Sequence, residues 1–102
     1  MEIHIRDSGS ARTYAIKEKI TTATINDLES QLVDFYHNDT RDAIIDMTEV
    51  TRVDSLTLAV FLKMKNMLVE KGRRFKLANP NESVRRIIEI ASLETFLLEN
   101  GE

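Results

Sequence analysis

Residues 43–47, Ala-Ile-Ile-Asp-Met, form a short and nearly continuous apolar run. It does not alternate, so it fits a strand buried on both faces, as in a parallel sheet. Parallel neighbours cannot be joined by a hairpin and need a crossover. The sequence supplies one. Leu58, Phe61, Leu62, Leu68 and Val69 recur at helical spacing, and Ala59, Val60, Met64 and Met67 widen the apolar surface. Gly72 closes this helix. Phe75 and Leu77 then alternate with Lys76 in a further strand. The segment 43–78 therefore reads as a βαβ unit with parallel strands and a right-handed crossover. That unit rules out an all-helical bundle and an all-β sandwich.

The flanks extend the pattern. Ile3 and Ile5 alternate with His4 and Arg6, and Tyr14 and Ile16 with Thr13, Ala15 and Lys17, in a strand reaching towards Ile20. Ser8-Gly9-Ser10 between them predicts an antiparallel hairpin. Thr24 to Asp27 has the form of a capping box with Thr24 as N-cap. Ile25, Leu28, Leu32, Phe35 and Tyr36 carry the helix that follows, over about 25–37. Asn79 is expected to cap a third helix, with Pro80 in its first position and Glu82 reaching back. Val84, Ile87, Ile88 and Ala91 form its apolar face. Leu93, Phe96 and Leu97 predict a short final helix or turn, and Asn100-Gly101-Glu102 should fray. The order is β-β-α-β-α-β-α-α. With 102 residues the expectation is one α/β domain over 1–102, a small mixed sheet packed with about four helices. Helix 2 is expected between the sheet and helix 3, with Ile44, Leu58, Phe61, Leu62 and Ile88 buried.

Charge and composition narrow the function. There are 14 Lys and Arg against 17 Asp and Glu, a net charge of −3. A phosphate-backbone binder normally carries a basic excess, so nucleic acid is a poor partner. The absence of cysteine removes disulfides, thiolate metal sites and a Cys nucleophile. The run Leu56 to Leu62 is too short to span a bilayer, and Met1 to Arg6 carries no signal pattern, which points to a cytoplasmic protein without membrane insertion.

Chemistry is sparse. There is no glycine-rich phosphate loop, so no cofactor is expected. His4 and His37 fall in different elements with no ligand spacing, so no metal is expected. Asp46 reads as the end of a strand and Asp54 as the opening of a helix, each serving exposed amides rather than forming a catalytic pair. Arg73-Arg74 and Arg85-Arg86 read as solvated faces. At Val53-Asp54-Ser55-Leu56-Thr57 a carboxylate and a hydroxyl meet at a helix start. No histidine stands near Ser55 in sequence to activate it, so nothing here is catalytic and no enzyme is expected. Such a helix end does tolerate an anion, a phosphoryl group included.

Residues 43–55, Ala-Ile-Ile-Asp-Met-Thr-Glu-Val-Thr-Arg-Val-Asp-Ser, resemble the STAS domain pattern of a buried strand, a short loop and Asp-Ser opening a helix. The likeness continues through Lys71-Gly72, Asn79-Pro80, Val84 to Ile90, and Leu93 to Phe96. The resemblance implies a stand-alone anti-sigma factor antagonist. Such a protein binds an anti-sigma factor or serine kinase of the GHKL type and is released by phosphorylation. It maps the phosphorylated serine onto Ser55 and the partner surface onto Arg52, Asp54, Ser55, Leu56 and Thr57. It is also compatible with a STAS subunit that docks an ATPase in a lipid or anion transport complex, or with a scaffold member of a signalling assembly. Two positions depart from the family pattern. Leu56-Thr57 stands where the family has Ser/Thr-Gly, and Glu18-Lys19-Ile20-Thr21 where it often has Gly-x-Leu-Asp.

Overall fold

The computed structural model describes residues 3–17, 19–91, 93 and 97. A hairpin opens the chain: β1 (Ile3–Asp7) pairs antiparallel with β2 (Ala11–Ile16). α1 (Thr22–Asn38) leads to β3 (Asp42–Asp46), which lies parallel to β2. α2 (Ser55–Glu70) leads to β4 (Phe75–Ala78), parallel to β3, and α3 (Glu82–Ile90) follows. The sheet order is β1-β2-β3-β4, so the strands lie side by side in chain order. The mixed α/β architecture is the one expected, with three helices among the described residues where about four were expected.

Cross-strand register explains where the core sits. Tyr14, Ile45 and Leu77 face one another across three strands, and all are buried. Thr13, Ile44 and Lys76 form the next row on the opposite face, half-buried to exposed. The core residues of all three helices gather on the Tyr14 side. Among the described residues the helices therefore cover the sheet on one side only, and even the inner strand β3 alternates. This corrects the expectation that β3 is buried on both faces and that Ile44 is a core residue. Leu58, Phe61 and Ile88 are buried as read, and Leu62 is only half-buried. α2 packs mainly against α1 and β4 rather than between the sheet and α3.

The helix ends show which local signals prevailed. Thr21, in extended backbone, caps α1, and its hydroxyl accepts from the Thr24 amide at 3.2 Å. Thr24 itself is buried one turn inside the helix, and its hydroxyl donates to the Lys19 carbonyl. The capping box at Thr24 is thus displaced by a cap one turn earlier. α2 closes as anticipated at Gly72. Gly72 adopts φ 73°, and the amides of Gly72 and Arg73 reach back to Val69 and Leu68, a complete Schellman closure. α3 is capped by Asn81, not Asn79, through a 2.8 Å bond from the Val84 amide. Asn79 instead takes φ 57°, a left-handed turn that Asn tolerates, so Pro80 precedes the cap rather than entering the helix. In the final segment expected over 93–97, Leu97 is buried and its amide donates to Leu93. Phe96 and the 100–102 tail lie outside the described residues.

Phe61 is fully buried against Phe75, ring centres 5.8 Å apart, where α2 meets β4. Phe61→Ala should cost about 3–5 kcal/mol. Denaturant unfolding that showed a loss below about 1 kcal/mol would contradict this packing.

Candidate functional site

The chain leaves the sheet at Asp46 and re-enters regular structure at Ser55. Both ends of this loop are fastened. The Asp46 carboxylate accepts from the Thr48 amide at 3.0 Å and the Thr48 hydroxyl at 2.5 Å, with Asn79 at 3.4 Å and Arg6 of β1 at 3.7 Å. The Thr48 hydroxyl bond is the main cause holding its carboxyl below the usual range. Further on, the Asn81 side chain donates to the Val50 carbonyl at 3.0 Å, tying the loop to the start of α3. Val50 and Val53 are buried and pin the loop to the core.

Asp54 caps α2 from extended backbone. One carboxylate oxygen accepts from both the Thr57 amide at 2.9 Å and the Thr57 hydroxyl at 2.8 Å. The amide bond first, then the hydroxyl, draws the Asp54 pKa below its usual value. Asp54 is therefore an anion at neutral pH. Asp46 and Asp54 thus each hold their own turn.

Ser55 is the first residue of α2 and is exposed, among amides that lack helical acceptors. Leu56 is 43% exposed, and Arg52 and Thr51 are exposed beside it. Thr57 departs from its expected place on the surface. It is fully buried, and its hydroxyl is spent on Asp54, so it braces the cap and offers nothing outward. A cavity of about 240 Å³ lies next to Asp54, lined by Lys19, Ile20, Thr51, Arg52, Val53 and Asp54. Lys19 and Ile20 come from the β2–α1 connection. Spacing alone could not assign them to this site, because sheet pairing brings that connection beside the loop.

Among the described residues no cluster of His, Asp and Glu could hold a metal ion. None of their helices is long and apolar enough to cross a membrane. The site can therefore offer an exposed hydroxyl, an anion-tolerant helix end, an ionised Asp54 and a mixed rim of Arg52, Lys19 and Leu56.

The sequence matches the family model of the STAS domain over residues 2–100. No curated protein matches it significantly. Among solved structures it is similar to TM1081 of Thermotoga maritima, a candidate anti-sigma factor antagonist. That match has TM-score 0.84 and 15% identity over 94% of this chain and 83% of that one. It is similar to the anti-sigma factor antagonist SpoIIAA in its unphosphorylated form, with TM-score 0.82 and 13% identity over 95% and 86% of the two chains. It is also similar to the Bacillus cell fate determinant SpoIIAA in the phosphorylated form, with TM-score 0.76 and 12% identity over 95% and 89%. At these identities the likeness is one of fold.

The depressed Asp54 pKa gives this cap a pH dependence of known sign. A carboxyl lowered on folding stabilises the fold above its unfolded pKa, and that contribution is lost as pH falls through the folded value. Asp54→Ala should lower stability by about 1 kcal/mol near neutral pH. Unfolding curves of the two proteins should converge on acidification. A gap that stays constant into strong acid would show that the charge on Asp54 does not support the cap.

Proposed function

The chain belongs to the STAS domain family, and on that premise we propose that it is a non-catalytic, cytoplasmic partner-switching regulator of the anti-sigma factor antagonist kind. Its partner is an anti-sigma factor or serine kinase of the GHKL type, bound through Arg52, Asp54, Ser55 and Leu56, and phosphorylation of Ser55 releases it. The observation that carries the reading is the exposure of Ser55 in the first position of α2, directly after an ionised cap. The phosphorylated form named for SpoIIAA supports it by analogy of fold.

The physics of such a switch follows from where Ser55 sits. A phosphoryl group adds a charge of about −1.5 to −2 at neutral pH. At the amide end of α2 that charge meets the positive end of the helix dipole, so the free domain accommodates it. Against a partner it becomes unfavourable. Asp54 already places a negative charge next to it, and the interface would have to desolvate both. The same group is therefore neutral for folding and opposed to binding.

Ser55→Ala should keep the partner bound, and Ser55→Asp should weaken binding while leaving the melting curve unchanged. A penalty of about 2–5 kcal/mol corresponds to a loss of roughly 30-fold to several-thousand-fold. Calorimetry of both variants against a partner recovered from native cytosol measures this. Equal affinities would remove Ser55 from the switch.

A further inference from the structure

The parallel strands bring three arginines together at the edge of the sheet where β2, β3 and β4 begin. Arg12 stands in the start of β2, Arg41 just before β3 and Arg73 just before β4. Their guanidinium carbons lie 5.3, 5.9 and 5.2 Å from the centre of the Phe35 ring, in the last turn of α1. Two of them have carboxylates. Arg12 Nε donates to Asp7 at 2.7 Å. Arg41 grips Asp39 through Nε at 3.0 Å and Nη2 at 2.8 Å, and its Nη1 lies 3.2 Å from Asp7. The amides of Thr40 and Arg41 also donate to Asp39. Arg41 is the first cause holding the Asp39 carboxyl well below its usual range.

Arg73 is different. It is buried, 8% exposed, and among the described residues it forms no ion pair with a carboxylate. Nε donates to the Arg41 carbonyl at 2.8 Å and Nη1 to the Tyr36 carbonyl at 3.0 Å. Nη2 has no hydrogen-bond partner. The Phe35 and Tyr36 rings, 5.2 and 5.7 Å away, and two carbonyls support the cation, but its remaining donor is buried unused, which is costly. Beside it lies a cavity of about 290 Å³ lined by Tyr36, Asp39, Thr40, Lys71 and Arg73. Lys71 is exposed. The carboxylates at this edge are taken up elsewhere, Asp7 and Asp39 by Arg12 and Arg41 and Asp42 by the Arg74 amide at 2.9 Å, so Arg73 and Lys71 have no carboxylate within ion-pair distance among the described residues.

We propose that this cavity binds an oxyanion of the phosphate class, either inorganic phosphate or the terminal group of a small phosphate monoester. Arg73 Nη2 and the Lys71 ammonium are its donors. Nε and Nη1 hold the guanidinium beside the cavity through their carbonyls, and seating the anion requires the side chain to shift so that the buried Nη2 is uncovered. The site lies at the edge of the sheet opposite Ser55 and does not depend on the partner-switching reading.

Amide NMR of labelled protein titrated with inorganic phosphate, at ionic strength held constant with chloride, tests the proposal. Saturable shifts are expected within 36–41 and 71–73. Lys71→Gln, an exposed change outside any helix or strand, should weaken binding roughly threefold or more, the scale of one charged donor. Arg73→Lys keeps the charge but loses the planar fork, so it should also weaken binding, with thermal unfolding measured alongside to confirm a folded protein. Adenosine monophosphate binding tighter than phosphate identifies a monoester ligand, and equal affinity identifies the free ion. The proposal is overturned by no saturation up to about 10 mM phosphate, by unchanged affinity in Lys71→Gln, or by shifts confined to 54–57 at the start of α2.

Discussion

Parallel pairing of β2, β3 and β4 is the constraint on which the rest of the structure depends. Parallel neighbours must be joined by crossovers, and here each crossover is a helix laid on the same face. All three strands consequently begin at one edge and end at the other. The end of β3 delivers the loop that opens α2 and exposes Ser55. The beginnings of the strands deliver Arg12, Arg41 and Arg73 to a single aromatic ring. Both polar regions of the molecule are thus products of strand direction.

At the Ser55 edge, the chemistry is that of a helix terminus. The cap spends one carboxylate oxygen on the amide and hydroxyl of Thr57, which leaves the first residue of the helix facing water. Burial of Thr57 makes this arrangement stiff, since its hydroxyl has Asp54 as acceptor and the core behind it. The family's glycine is missing one turn into this helix, yet nothing in the backbone of α2 requires one. Among the described residues the only positive φ angles are at Gly72 and Asn79. The departure at Leu56-Thr57 changes what the surface offers, an exposed leucine above a buried threonine, and leaves the fold intact.

Legibility differed by scale. Element order, the hairpin, the crossover unit and the position of Ser55 at a helix start were all readable, because each rests on contiguous residues and a local period. The errors fell where two local signals competed. Thr21 and Thr24 both suit a helix cap, and the outcome turned on which threonine the core would bury. Asn79 and Asn81 both suit the third helix, and the sharp left-handed turn needed after β4 claimed Asn79. For β3, an apolar run looked buried on both faces, but a sheet covered on one side leaves Ile44 on the open face.

By itself the sequence determined the fold class, the strand and helix order and the segment that carries the candidate switch, since periodicity and capping residues act over a few positions. Tertiary structure alone decided which residues share a site. Lys19 and Ile20 join Asp54 only because β2 lies against β3, and Arg12, Arg41 and Arg73 meet only because three parallel strands start side by side. It also decided that Thr57 is a brace and Arg73 a buried cation. Exposure is a property of what packs on top of a residue, and that is set by chain segments far from it in sequence.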